Sequence, residues 1–487
     1  MSQLTIHSAA SILARINIEI LKAENSHCTR RTGMLSQEPV HFCWQHLIRN
    51  LLCTLGLIVF LAYPTYAQEL SLSAALERAS ARATELQRLQ KQDQLARATH
   101  TRSAQAFLPR ISADSTWIRS DADAHEHIPS LNLRATPPGI TTQDYGPVEG
   151  VVSGVNIVQP LIHVEGWAGR AQAGTAARAR KAATEWGAQI LKLKTAQTYF
   201  GVHIQGAVLH AAQQALHAAQ QALEAATANF SEGLVSRLDV TRASAEAQSA
   251  QARVFAAEAE LNKAKNDLAA LLELNPAKPI RVTTPLPQPL PPMGYPLPQQ
   301  QRADITATEL KLESASVGVD KAQARILPRV NLLARQQWVD GDKELEDNGD
   351  AWLVGVNLEW NLFEGFDRVG EIAEAKAHAD LARVEITAKK RAAELQQHNS
   401  FNDWVSSWKA WQASQTAVDS AVTAADLAAR RYAEGLGNLT EVLLTRAELF
   451  QHQVNTSRYQ YQTLLACMSY YLHHGYSPLQ GLPPQLR

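Results

Sequence analysis

The chain has 487 residues, 45% of them hydrophobic but only 6% aromatic, and a formal net charge of −1. Apolar content of that kind, carried by Ala and Leu, points to long packed helices rather than large globular cores. A near-neutral chain gives no electrostatic case for a nucleic-acid partner, so none is expected.

At the N-terminus, "LLCTLGLIVFLAY" (51–63) is an apolar run after Arg49, and the following "PTYAQE" places Thr65 and Ala67 at the −3 and −1 positions of a signal-peptidase site. Residues 1–67 therefore read as a signal or leader segment, with Gln68 beginning the mature chain and Met34 as an alternative start. The run falls short of the ~20 apolar residues of a spanning helix; a stop-transfer anchor is the competing reading. Cys28, Cys43 and Cys53 precede the cut, leaving Cys467 alone and no internal disulfide in the exported chain. Cys53 lacks the small residues that precede a lipoprotein cysteine. After the cut, 41 Lys and Arg face 44 Asp and Glu.

A helix over 73–107 then ends in "AQAFLPRISAD" (104–114), which recurs as "AQARILPRVNLL" (322–333). "GVNIVQPL" at 154 recurs as "GVNLEWNL" at 355, and "FSEGLVSRLDV" at 230 as "YAEGLGNLTEV" at 432. The chain is two copies of one unit, 68–275 and 301–474, with a Pro-rich connector at 276–300 and a tail at 475–487. Pro at such density stays extended and cannot continue a helix. Pro109 and Pro328 are 219 positions apart, whereas Gly154 and Gly355 are 201 apart, so the first copy carries about 18 extra residues between its strands.

Each copy reads helix, strand, strand, very long helix, tight turn, helix. "WLVGVNLEW" alternates strictly, with Trp352, Val354, Val356, Leu358 and Trp360 on one face. Its length and its bordering tryptophans fit a transmembrane strand; a soluble half-buried hairpin would alternate too. Trp117 and Trp338 fit the same aromatic girdle. Residues 205–225 form three heptads with Leu209, Leu216 and Leu223 in register, and no proline interrupts 166–230. About 65 residues at ~1.5 Å each span roughly 100 Å, as does the run from Phe366 to Tyr432. The remaining helices, 73–107, 238–274, 303–326 and 440–473, read as halves. Stacked as 238–274 with 303–326 and 73–107 with 440–473, they match the long ones. Leu-Pro-Arg then marks where a short helix must stop and become a membrane strand, because proline denies helical geometry to its predecessor.

Four strands per chain cannot close, and an open edge in lipid leaves backbone groups unpaired. Two chains give eight strands, a barrel filled by side chains; three give twelve, wide enough for a lumen. A homotrimer is inferred from that count.

The chain resembles the TolC-like outer-membrane efflux protein family. The likeness rests on "LSLSAALERA" at 70, both Leu-Pro turns, the two Gly-Val-Asn segments, "RADI" at 302 where the family favours Arg-Pro-Asp, and the two tip turns with "LDV" and "TEV". It implies a trimeric 12-stranded outer-membrane β-barrel continuous with a long periplasmic α-helical coiled-coil barrel. It also implies an exit duct serving an inner-membrane pump through a periplasmic adapter, in contact with outer-membrane lipid.

The tip turns hold the candidate site residues. Gly233 and Gly435 suit left-handed helix ends, Ser236 with Asp239 makes a capping pair, and Asn438 with Glu441 repeats it. Asp239 and Glu441 need be nothing more than caps. The resemblance matches Glu441 to an acidic ring that narrows a closed periplasmic gate and Tyr432 to a tyrosine that ties it shut. Leu444 stands at a second acidic gate position, and Gly437 where an arginine latch occurs, so the gate expected here is weaker or hydrophobic. Leu234 and Leu436, beside the turn glycines, stand where adapter hairpins dock in the family. His203, His210 and His217 recur every seventh residue, about 10 Å apart along the helix and too far for shared ligation. His125 and His127 in "HEH" usually point oppositely when extended. No metal site, cofactor or catalytic motif is read. The competing class is a periplasmic coiled-coil adapter, which carries one hairpin and no duplicated membrane strands. The transported substrate is not encoded in any of these motifs.

Overall fold

A computed structural model describes residues 68–120, 128–132, 139–143, 148–292, 297, 298, 300–341 and 349–486. The leader and the His125 to His127 stretch lie outside the described residues. The first copy contains β1 (Gln68–Leu70), α1 (Leu72–Arg82), α2 (Thr84–Arg102), β2 (Arg110–Ser120), β3 (Ile128–Asn132), β4 (Gly139–Gln143), β5 (Val148–Ile162), α3 (Val164–Ser231) and α4 (Arg237–Leu271). The connector adds β6 (Ile280–Val282). The second copy contains α5 (Ala303–Ala324), β7 (Arg329–Gly341), β8 (Gly349–Glu359), α6 (Asp367–Ala433) and α7 (Leu439–His473).

Helices α3 and α6 run uninterrupted for 68 and 67 residues, as the absence of internal proline requires. The short helices stack within their own copies, which corrects the pairing expected from length alone. Helix α4 meets the start of α1: Leu72, Leu268 and Leu272 share one core, and Arg78 Nε donates to the Leu272 carbonyl at 2.9 Å. Helix α7 meets the start of α5, where the Gln300 amide donates to the His474 carbonyl at 3.0 Å. Length could not decide this, because the tight connections at the equator do. The expected single helix over 73–107 is also broken. Ala83 leaves helical geometry at φ −57°, ψ 119°, where Thr84 Oγ1 donates to the Glu273 carboxylate that ends the neighbouring α4.

The main sheet has the order β2-β5-β7-β8, antiparallel throughout, with β2 and β8 as its edges. The longer first connection holds a separate two-stranded ladder, β3 with β4. Both Leu-Pro-Arg turns use one device. Gln159 Nε2 donates to the Phe107 carbonyl at 2.9 Å, and Trp360 Nε1 donates to the Ile326 carbonyl at 3.0 Å. A proline just after each helix removes the amide that would continue the helical bonding, and a side chain from the end of the returning strand takes the exposed carbonyl instead.

The densest packing lies midway along the helices. Tyr199 and Phe200 are fully buried with Leu268, Leu272 and Leu464, and the Tyr199 hydroxyl donates to the Leu70 carbonyl at 2.8 Å. It accepts from the Thr283 and Thr284 amides at 3.2 and 2.9 Å, which fastens β1 and the connector to α3. In the second copy, Trp404 is fully buried among Cys467, Tyr470 and Tyr471 and donates to the Leu290 carbonyl at 3.2 Å. The described part of the Pro-rich connector is thus fastened to both copies, to α3 through Thr283 and Thr284 and to α6 through Leu290.

"RADI" sits in this belt. Arg302 caps α5 and Ala303 opens it, the first-turn position that tolerates proline. The Arg302 guanidinium, 1% exposed, bonds Asp304 at 3.0 and 2.9 Å and lies 4.9 Å over the Trp186 ring. Lys389 reaches Asp304 at 3.0 Å. Burial pushes the Asp304 carboxyl up, but bonds and charge from Arg302 and Lys389 outweigh it and hold the group below its usual value.

Candidate functional site

At the far end of the helices, both long helices stop in the same backbone motif. Gly233 and Gly435 have φ of +74° and +72°. The Leu234 amide donates to the Asn229 carbonyl and the Leu436 amide to the Arg431 carbonyl, each at 2.8 Å, which satisfies carbonyls the helix end leaves open. An L side chain is strained at such φ, so each glycine is required by the turn.

The two returning helices are capped differently. Ser236 and Asp239 form the full reciprocal box, with the Asp239 amide donating to Ser236 Oγ at 3.3 Å and the Ser236 amide to Asp239 Oδ2 at 3.1 Å. Asn438 Oδ1 accepts from the Glu441 amide at 2.9 Å, but the Glu441 carboxylate turns away to Arg431, 3.2 Å distant. Arg431 also donates to the Leu436 carbonyl at 3.3 Å. The second turn is therefore tied to its own long helix by an arginine that lies outside the turn motif and was missed on that account.

Tyr432 is buried in a cluster of Ala222, Ala226, Ala243, Ala428, Leu439 and Val442, so α6 leans on the first hairpin through it. Its hydroxyl is enclosed beside Asn229 without a hydrogen bond of normal geometry, and burial pushes its phenol above the ordinary value. Leu234 and Leu436 stand 70% and 68% exposed, and Leu444 is exposed on the second hairpin. The structure thus gathers Asp239, Tyr432 and Glu441 at one end. The three histidines of α3 do not converge: His203 sits against the Tyr199 and Phe200 rings, while His210 meets Gln214.

At the opposite end the sheet has two unlike faces. Ile111, Trp117, Trp338, Trp352, Val354, Val356 and Leu358 alternate onto one and are all exposed. Trp117, Trp338 and Trp352 lie toward the outer end of the strands and Trp360 at the helix end, eight residues beyond Trp352 or about 27 Å at ~3.4 Å per residue. That matches the ~25 Å apolar band of a membrane barrel. The other face carries Ser112, Asp114, Thr116, Asn156, Arg335, Gln337, Asn357 and Glu359. Arg335 lies along Gly154, where a Cβ would stand 3.5 Å from its guanidinium, and reaches to 3.6 Å from Asp114. Among the described residues, no helix is long and apolar enough to cross a membrane.

A family model for outer membrane efflux proteins matches residues 75–273 and 295–469. The chain belongs to the outer membrane efflux protein family. The fold of this efflux protein is shared with solved channels: VceC from Vibrio cholerae, at 19% identity and a TM-score of 0.71, covers 83% of this chain and 96% of its own. CmeC from Campylobacter jejuni, at 15% identity and 0.70, covers 85% and 90%. The open-state MtrE channel of Neisseria gonorrhoeae, at 17% and 0.65, covers 84% and 89%. No curated protein matches significantly. The efflux protein is an outer-membrane channel protein extending into the periplasm, and its two long hairpins with a membrane sheet set aside the single-hairpin adapter reading.

Proposed function

We propose that the efflux protein works as a homotrimer, the passive outer-membrane exit duct of a tripartite efflux or type I secretion machine, fed by an inner-membrane pump through a periplasmic adapter. The observation that carries this reading is the pairing of an open four-stranded sheet, apolar on one face and polar on the other, with helices roughly 100 Å long by the ~1.5 Å rise. Three copies supply twelve strands, the apolar face meets lipid with its tryptophans at the two boundaries, and the polar face lines the lumen. Residues 68–275 and 301–474 are then two repeats contributed by each subunit.

At the tip, three copies of Glu441, held by Arg431, form an acidic ring beside Tyr432 and Asp239, with Leu444 adding an apolar constriction. Leu234 and Leu436, with the turn residues Gly233, Ser236, Gly435 and Asn438, present two alike surfaces to adapter hairpins. The test is crosslinking in intact cells followed by mass identification. The wild-type chain should carry an adapter and a pump, and Leu234→Asp with Leu436→Asp should lose the adapter. An adapter retained at full yield by that double variant counts against the assignment.

A further inference from the structure

The two sides of α3 can be told apart in its first turn. Glu165 pairs with Arg329, whose ladder partner Glu359 stands on the polar face of the sheet, so Glu165 marks the luminal side. Trp167, two residues on and about 200° around the helix, marks the outer side. Arg170, Arg178 and Lys181 continue that outer side at helical spacing. With Arg97 and Phe107 from the end of the first short helix pair and Glu313 from α5, they line a cavity of about 850 Å3. Four permanent cations therefore face one carboxylate.

The second repeat is a control built into the chain. "EGW" at 165 recurs as "EGF" at 364, an offset of 199, and the Leu-Pro turns are 219 apart. Under these offsets Arg97, Arg170, Arg178 and Lys181 become Ser316, Val369, Ala377 and Asp380. Helix α6 is as long as α3 and ends in the same turn, so a wall of such helices does not need the cations. They belong to the first repeat alone.

Three of the four have carboxylate partners: Arg97 meets Asp93 at 2.7 Å, Arg178 meets Glu313 at 2.9 Å, and Lys181 lies 3.9 Å from Glu185. Arg170 forms no ion pair among the described residues. Its guanidinium lies 5.9 Å from the centre of the Phe107 ring and 3.4 Å from the His100 carbonyl. Phe107 and Trp167 stack at 6.0 Å and are 46% and 37% exposed. Arg170 stands six residues into α3, about 9 Å past the strands at ~1.5 Å per residue, and helical side chains lean toward the N-terminus, here the membrane end. A bilayer's headgroup layer extends roughly 5–7 Å beyond its hydrocarbon. The guanidinium thus reaches that layer, and the two rings stand at its apolar boundary, where aromatic side chains are favoured.

We propose that this cavity binds an anionic phospholipid of the periplasmic leaflet, one per chain, with Arg170 bonding the phosphate and the Phe107–Trp167 pair lying against the glycerol and first acyl carbons. Guanidinium presents several donors to phosphate oxygens in a fixed fork. Arg97, Arg178 and Lys181 lie deeper and act through their field, which favours a headgroup of net negative charge over a zwitterionic one. The second repeat, with Val369 in place of Arg170, has no such site.

The inference rests on the reading that the apolar strand face meets lipid, and it is tested apart from it. The full chain is purified in mild detergent, stripped of lipid, and titrated with phosphatidylglycerol or phosphatidylethanolamine under native mass spectrometry. Phosphatidylglycerol should bind at one molecule per chain and about ten-fold more tightly than phosphatidylethanolamine. Arg170→Gln should lose about ten-fold of that affinity, Arg170→Lys should keep part of it, and Arg180→Gln, a nearby cation outside the cavity, should change nothing. Equal affinity for the two lipids, or wild-type affinity in Arg170→Gln, overturns the site. Displacement of the lipid by inorganic phosphate alone overturns the lipid as the source of the phosphate. A wild-type chain that stays soluble without detergent and takes up neither lipid overturns the membrane reading instead.

Discussion

The equatorial belt and the periplasmic tip both join the two repeats, but with different materials. At the equator the shared core is built from Tyr199, Phe200, Leu268, Leu272 and Leu464, with Trp404 and Tyr470 beside it, all essentially removed from solvent. At the tip the shared cluster is four alanines with Tyr432, Leu439 and Val442. Buried aromatics remove far more apolar surface per residue than alanines do, so the belt is the stronger joint of the two. On the proposed reading of the tip as a gate, that asymmetry lets the inner end open while the belt stays closed.

The largest test of the contrast is Trp404→Ala, which empties a fully buried indole site and should cost about 3–5 kcal/mol, read as a lower melting temperature in detergent. An equal loss from Leu443→Ala at the tip would erase the distinction. Arg302→Met should cost less, about 2–3 kcal/mol, because Asp304 loses its bidentate partner while Lys389 still reaches it at 3.0 Å. Adding Asp304→Leu should recover most of the loss if the residues act as a pair.

Acid should loosen the belt before the tip. Burial holds His203 and His473 below the ordinary histidine pKa, and Arg302 adds to the effect on His473. A depressed folded-state value means the unfolded chain binds protons first. Their stabilisation is therefore full above about pH 6.5 and drains away as pH falls below it toward the folded-state values. Asp304 follows in its own window, losing its contribution below about pH 4. Protection of equatorial amides, taken relative to the intrinsic exchange rate at each pH, should fall between pH 7 and 5, and His473→Gln should flatten that fall.

Smaller effects belong to the tip. Ser236→Ala removes one partner of the reciprocal cap and should cost about 1 kcal/mol, seen as faster local exchange in α4. Tyr432→Phe should leave stability within about 0.5 kcal/mol, since its hydroxyl makes no normal hydrogen bond among the described residues. Raised resting conductance in that variant would show the hydroxyl working between subunits. Glu441→Ala breaks a half-exposed pair worth at most about 1 kcal/mol, so its signature should be reduced cation preference in single-channel recordings.

Much of this architecture was legible in the sequence because duplication repeats its own evidence. Leu-Pro-Arg, Gly-Val-Asn and the Gly-Leu turns each appear twice, and proline, strict alternation and left-handed glycine have few structural meanings. The stacking partners of the short helices were not legible, because helix length carries no information about which end meets which. Side-chain contacts such as Arg78 with the end of α4 decide that, and nothing local encodes them. Arg431 escaped for a similar reason: it lies ten positions before Glu441, and only the folded turn brings them together. The repeated capping by Gln159 and Trp360 was hidden because the two donors share position but not chemistry.

The central claim is that one chain supplies an open sheet which only further copies can close. Native mass spectrometry of the protein extracted from outer membranes in mild detergent tests it most directly. Three chains per particle, falling to one only when the sheet is denatured, is the expected result. A stable single chain that stays soluble after the detergent is removed would contradict it.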